Sequence, residues 1–269
     1  MKIKIATWNV NSIKARLEGF LLWLKASTPD VVLLQEIKTI SETFPKEPIA
    51  DLGYNMAIFG QKTYNGVAIL SKYPIEDIIE NLPNFSDQQS RYIEALISLP
   101  NSAFRVASVY VPNGGSELHD GQKINETAKF QYKMNFFDKL SEHAKKRLEL
   151  NEAFIIGGDF NVANENIDVH DANSLKNTLC FHDNEKAKFR KLLNMGYGDL
   201  FRNLNPYDSN FSWWDYRGNS LKLNKGMRID YLLAPPSAMD IAVSCSIDNK
   251  ALEVEKRSYH APVICELKS

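Results

Sequence analysis

Several short apolar runs in this chain end in, or open with, polar residues of the kinds that hold cations and move protons. Trp8-Asn9-Val10-Asn11 closes the first run, and Leu33-Leu34-Gln35-Glu36 places a carboxylate at the end of the second. Tyr110-Val111-Pro112-Asn113-Gly114 supplies a phenol and an amide. In Ile155-Ile156-Gly157-Gly158-Asp159-Phe160-Asn161 two glycines let the backbone pass closely before an acid and an amide. Arg228-Ile229-Asp230-Tyr231 opens a late run, and Ser258-Tyr259-His260-Ala261-Pro262 precedes the last. Taken singly, each has an ordinary explanation: a carboxylate after a buried strand is usually a loop residue or a helix cap, and a lone histidine is usually a packed core residue. Together they supply the acids Glu36, Asp159 and Asp230, the amides Asn9, Asn11, Asn113 and Asn161, the phenol Tyr110 and the imidazole His260. No Ser or Cys stands beside a base as a nucleophile, which argues against acyl transfer. Carboxylate and amide oxygens suit a hard cation such as Mg2+. A cation, a base for water and neutral or cationic donors are what phosphodiester hydrolysis needs, because its transition state gathers negative charge on phosphate oxygens and on the leaving alkoxide.

Strands must carry these residues to one place. Lys2–Val10 and Val31–Gln35 read as strands flanking an amphipathic helix, Lys14 to Ser27, on which Leu17, Leu21 and Leu24 recur at helical spacing before Pro29 stops it. Gly66–Ser71, Arg91–Leu99 and Phe104–Val111 follow as strands, then a long helix over Glu126–Leu150. Ala153–Gly158 reads as a buried strand and Glu185–Met195 as a helix. Phe211–Tyr216, Ile229–Ala234, Ala242–Ile247 and Val263–Leu267 are the late strands. Runs of strands with few helices between them favour an α+β sandwich over a doubly wound parallel sheet. Strands of one sandwich bring their ends together, and an apolar floor with a few convergent polar groups describes an active site.

The 269 residues read as one domain, 1–269, without repeats or linkers. No run approaches the length of a membrane span and the N-terminus lacks a signal-peptide core, so a cytoplasmic protein with no membrane partner is expected. Cys180, Cys245 and Cys265 lie in no zinc or disulfide spacing and read as buried free thiols. The 32 Lys+Arg against 33 Asp+Glu leave a net charge of -1, so a nucleic-acid partner requires positive charge concentrated on one face. Such a concentration exists after Trp213-Trp214, where Arg217, Lys222, Lys225 and Arg228 occur without an acid between them. From composition alone this is equally a DNA contact or a solvated loop. The clusters Lys145-Lys146-Arg147 and Lys186 to Lys191 read as helix surface.

In this order along the whole chain, the motifs resemble the exonuclease III family of Mg2+-dependent abasic-site endonucleases and 3′ exonucleases, within the endonuclease/exonuclease/phosphatase superfamily. Leu34-Gln35-Glu36 and Gly158-Asp159-Phe160-Asn161 mark the superfamily; Phe211-Ser212-Trp213-Trp214-Asp215-Tyr216 and Arg228-Ile229-Asp230 point to its DNA-repair branch. The resemblance implies a four-layer αββα sandwich of two mainly antiparallel sheets flanked by helices, with the site where the sheets meet. It implies Glu36 as the main metal ligand, with Asn11 and Asn9 completing the shell of Mg2+, or of Mn2+ in its place. Asp159 would activate water, Asn161 and Asn9 would hold it, and His260, oriented by Asp230, would donate to a phosphate oxygen. Tyr110 would contact the phosphate or the leaving 3′ oxygen. Trp213, Met227 and Ile229 would line the abasic-sugar pocket, and Asn113 and Arg91 would touch DNA. The implied partner is duplex DNA with abasic sites or 3′ ends, bound by a monomer.

One position departs from the family, which reads Ser-Asp-His where this chain has Ser258-Tyr259-His260. A tyrosine is not an anion at neutral pH, so weaker Mg2+ binding is expected there. Two other readings stay open: a relative acting on a non-DNA phosphodiester, and a DNA-binding homologue disabled at Tyr259.

Overall fold

The computed structural model describes residues 2–115 and 123–268. In chain order its elements are β1 (Lys2–Asn9), α1 (Leu17–Ser27), β2 (Val31–Gln35), α2 (Lys46–Ala50), β3 (Asn55–Phe59), β4 (Val67–Ser71), β5 (Ile75–Glu80), β6 (Tyr92–Ser98) and β7 (Ala103–Tyr110). There follow α3 (Ala128–Glu149), β8 (Phe154–Asp159), α4 (Asp183–Asn194), β9 (Gly198–Asp199), α5 (Leu200–Leu204), β10 (Trp213–Trp214), β11 (Gly226–Met227), β12 (Asp230–Ala234), α6 (Pro236–Met239), β13 (Ala242–Ile247) and β14 (Val263–Lys268).

The strands form two six-stranded sheets, β13-β14-β1-β2-β4-β3 and β5-β6-β7-β8-β12-β9, and β10 pairs with β11 in a separate ribbon. Pairing is antiparallel except β1 with β2 and β7 with β8. Alternate residues of each central strand face opposite layers. Ile3, Ile5, Val31 and Leu33 of the first sheet meet Ile93, Val106, Ile155 and Leu232 of the second in the inner core. On the outer faces Ala6, Trp8, Val32 and Leu34 pack on Phe20, Trp23 and Leu24 of α1. Val109, Ile156, Tyr231 and Leu233 pack on α3 and α4 through Phe130, Phe137 and Phe189. These are the four layers that the resemblance implies. Burial on both faces explains why β2 and β4 read as unbroken apolar runs. No described helix is long and apolar enough to cross a membrane.

Several boundaries differ from the sequence reading. The first helix begins at Leu17 and not Lys14, because Asn11 and Ser12 take left-handed conformations, φ 45° and 86°, that delay its first turn. The strand expected over Phe211–Tyr216 shrinks to Trp213–Trp214, whose ladder runs only to Met227 and Gly226, with a single further bridge from Trp213 to His260. Edge strands β3 and β5 were not foreseen; β5 carries Glu76, Asp77 and Glu80 on an exposed edge, which blunts edge-to-edge association. The cysteines are buried and unpaired, as expected.

Polar groups also bridge the layers. Gln35 Nε2 of the first sheet donates to Ser108 Oγ of the second at 3.0 Å, and that hydroxyl donates to Leu34 O at 2.7 Å. Between α3 and α4, fully buried Lys133 pairs with fully buried Glu185 and donates to Asn161 O at 2.6 Å and Asn113 O at 3.2 Å. Removing one member of such a pair strands a buried charge. Lys133→Met is expected to lower the urea unfolding free energy by about 3–5 kcal/mol, and adding Glu185→Leu to recover part of that loss. A single variant as stable as wild type would show that the pair is not a structural brace.

Candidate active site

Strand register alone gathers most of the site. Tyr110, Asp159 and Asp230 are cross-strand neighbours at one end of β7, β8 and β12, and Asn9 lies beside Gln35 on β1 and β2 with Glu36 next along the chain. The two glycines before Asp159 are required by close approach: a Cβ on Gly158 would lie 1.9 Å from Val109 O, and one on Gly157 2.5 Å from Leu33 Cδ1. Glu36, Lys38 and Asn161 adopt left-handed backbone, with φ near 50° (49°, 51° and 50°), as the chain leaves the strands.

Asn9 is the keystone. Its Nδ2 donates to Glu36 Oε1 at 2.8 Å and to Asp159 Oδ2 at 2.9 Å, and its Oδ1 accepts from Asn11 N at 3.0 Å. With its oxygen turned to a backbone amide, Asn9 joins two carboxylates rather than offering a ligand atom to a cation. Ser258 Oγ donates to Asn9 O at 2.6 Å and accepts from His260 N at 3.2 Å, tying the last loop to the first strand.

His260 Nδ1 lies 2.9 Å from Asp230 Oδ2, which also accepts from Ser212 Oγ at 2.6 Å, and His260 Nε2 lies 3.8 Å from Asp159 Oδ2. Burial disfavours the charged imidazole, but Asp230 and Asp159 outweigh it and raise its pKa to about 9. Burial, opposed by His260 and reinforced by the negative charge of Asp230, raises Asp159 to about 7. Burial also works against the Glu36 carboxylate, yet Lys38 and Asn9 hold its pKa below the ordinary value. The Tyr110 phenol is pushed well up by burial and by the charges of Glu36 and Asp159, so it stays a donor.

Asp159 Oδ1 accepts from Asn161 N at 2.9 Å. Asn161 Nδ2 donates to Val111 O at 2.9 Å, while its Oδ1 accepts from exposed Asn113 at 3.2 Å, so these two amides are linked at the cavity wall. A cavity of about 570 Å³ opens over these groups; Glu36, Tyr110, Asp159 and His260 line its polar side, and Trp213, Met227 and Ile229 its apolar side. Arg91 does not line it. Its guanidinium sits 4.6 Å from the Tyr110 ring centroid and donates to Tyr110 O at 3.3 Å, supporting that phenol from behind. Arg228 is also displaced from the basic surface expected of it: it is 1 % exposed and pairs with Asp168 at 2.8 Å and Asp199 at 2.7 Å. Of the clusters read as helix surface, Lys145 pairs with Glu149 and Lys188 with Asp138, but Arg147 reaches inward to fully buried Glu94 and Lys186 is buried over the Phe181 ring.

Lys38 was not foreseen. Its Nζ lies 2.8 Å from Glu36 Oε2 and 2.5 Å from Asn11 Oδ1, bridging two oxygens expected to bind a cation. Ligand atoms of Glu36, Asp159 and His260 lie within 4.8 Å of one another and could hold a metal ion. The oxygen donors suit a hard divalent ion, and the Lys38 ammonium marks where Glu36 and Asn11 converge on positive charge. His260 fits less well as a ligand, because its Nδ1 is committed to Asp230 and its ring favours the protonated form. Tyr259 belongs elsewhere: its ring stacks on Tyr216 and lines a separate cavity.

The sandwich and this site define a class. Residues 6–260 match the endonuclease/exonuclease/phosphatase family, and the chain belongs to it. It is 32% identical to an exodeoxyribonuclease III from Haemophilus influenzae over 99% of this chain and 100% of that protein. An AP endonuclease structure from Archaeoglobus fulgidus superposes with a TM-score of 0.91 at 34% identity, covering 99% of this chain and 100% of that one. A 3′ phosphatase from Neisseria bound to a product DNA hairpin superposes at 0.92 with 32% identity and the same coverage.

The His260–Asp230 pairing has a direct signature. A raised histidine pKa means its stabilisation is complete below the ordinary value of 6.5 and is lost as pH rises through about 9. The His260 ring resonance, followed by NMR, is expected to titrate near pH 9 and to move to lower pH in Asp230→Asn. An unmoved midpoint would remove Asp230 as the cause.

Proposed function

We propose that this protein is a DNA-repair phosphodiesterase that cuts the backbone 5′ to abasic sites in duplex DNA and also removes 3′ nucleotides or 3′-blocking groups. The observation that carries this reading is the placement of Asp159 and the His260–Asp230 pair across one cavity from the apolar wall of Trp213, Met227 and Ile229. The relatives' names support it, as does the structural neighbour bound to a product DNA hairpin. The chain acts as a cytoplasmic monomer in this proposal, and its ion is Mg2+, with Mn2+ as a substitute.

Asp159, with a pKa near 7, is suited to take the proton of the attacking water, since a base works best when its pKa lies near the working pH. Asn9 fixes that carboxylate. His260 donates from Nε2 to a phosphate oxygen as negative charge grows, and Asp230 with Ser212 holds the ring in place. The protonated Tyr110 phenol supports the leaving 3′ oxygen. A divalent ion bound at Glu36 and Asn11 would neutralise charge on the phosphate. A sugar without a base fits the closed pocket, and a damaged duplex bends and unstacks cheaply to deliver it.

The test uses a labelled duplex with one abasic site, in Mg2+ and in chelator. Wild type is expected to incise only with metal, and Asp159→Asn to be slower by roughly 10²–10⁴-fold. Trp213→Ala is expected to lose abasic incision while hydrolysing a small phosphodiester as before. Binding without metal-dependent incision would reduce the protein to a DNA-binding homologue, and cleavage confined to other phosphodiesters would redirect the assignment.

A further inference from the structure

Beside the active cavity lies a second one, of about 540 Å³, that the reaction above does not use. Its most exposed aromatic groups are Tyr216 and Tyr259, 69% and 37% exposed, with ring centroids 5.5 Å apart and planes inclined by 30°. Two exposed rings side by side offer an open stacking surface, which the more exposed but solitary Tyr207 does not. The Arg217 guanidinium sits 5.3 Å from the Tyr216 centroid, held by Asp215 at 2.7 Å. Lys222, Lys256 and Arg257 line the same cavity, are exposed, and their side chains make no hydrogen bond or ion pair among the described residues. Glu255 is an exposed carboxylate on the same wall, but three unpaired cations against one acid leave the patch positive, in contrast with the paired Lys145 and Lys188 of α3 and α4.

The two cavities are continuous in their walls, because Asp215 and Ser220 line both. A strand whose phosphate is at His260 therefore has a route past Trp213 and Trp214 to the tyrosine pair. Flat aromatic faces beside free cations fit a nucleobase and its phosphate, the combination that binds single-stranded nucleic acid. They fit a fully paired duplex poorly, since its bases offer no free face.

Accepting the functional reading above, on which this rests, we propose that Tyr216 and Tyr259, with Lys222, Lys256 and Arg257, form a nucleotide subsite. It stacks an unpaired base of the DNA strand held in the active cavity. The tyrosine that replaces an expected acid thus builds a surface outside the cation site, and gives this chain a preference for damage flanked by unpaired nucleotides.

The test compares two abasic duplexes, one fully paired and one carrying a short mismatched bubble with 2-aminopurine beside the lesion. Binding is measured in chelator, and incision of the paired duplex in Mg2+. Wild type is expected to bind the bubble about tenfold more tightly than the paired duplex and to quench 2-aminopurine. Tyr259→Ala and Tyr216→Ala are expected to lose both effects and Tyr259→Phe to keep them, with paired-duplex incision unchanged in all. Equal wild-type affinity for the two duplexes, or alanine variants that retain the preference, would overturn the subsite while intact incision left the activity standing. Equal losses on both substrates would make the tyrosines structural and also overturn it. A wild type that incises neither duplex would overturn the functional reading itself.

Discussion

Two carboxylates from different sheets meet in the interior of this protein, and the site depends on what keeps them there. Glu36 follows β2 and Asp159 ends β8; like charges about 4 Å apart at an effective dielectric near 20 repel by about 4 kcal/mol. Asn9 answers part of that repulsion by donating to both, at 2.8 and 2.9 Å. Lys38 balances Glu36 on one side and His260 faces Asp159 on the other. Asp159 still sits at a pKa of about 7, raised first by burial and then by the charges of Asp230 and Glu36 against the opposing His260. The same burial that makes this carboxylate costly to keep charged brings its pKa close to neutrality.

Rigid supports surround this cluster. Parallel pairing of β1 with β2 and of β7 with β8 aligns strand ends that would otherwise point apart. Gln35 and Ser108 link the sheets just beneath Asn9 and Tyr110. Lys133, paired with Glu185, donates to the carbonyls of Asn113 and Asn161 from below. Arg228, Asp168 and Asp199 form a buried ion cluster beside β12, one residue from the pocket-lining Ile229. Strands and buried ion pairs therefore fix Tyr110, Asp159 and Asp230 directly, and Glu36, Asn161 and His260 enter from short segments anchored to those strands.

Much of this was legible in the sequence because strand ends are local features. An apolar run that stops at Glu36 or Asp159 needs no tertiary information to be noticed, and the shared ends follow once the strands form one sandwich. The α+β sandwich was legible in the order of its elements, runs of strands with few helices between them, while its four layers followed from the family resemblance. What escaped required three dimensions. The half-buried edge strand β3 and the charged edge strand β5 have weak patterns, since little of either faces the core. Lys38 returns to Glu36 only through left-handed turns at both residues. Arg228 reads as part of a basic loop until Asp168, distant in sequence, buries it. Asn9 was expected at the cation and as a catalytic amide, but its oxygen faces Asn11 and its nitrogen lies between the carboxylates.

The most direct measurement is abasic-site incision by Asn9→Ala across a range of Mg2+ concentrations. If the amide holds the carboxylates together, the variant will need more Mg2+ for half-maximal rate, and its plateau will fall by about a hundredfold, the scale of losing one preorganised donor. A variant with the wild-type plateau and the wild-type Mg2+ dependence would contradict the central role given to Asn9.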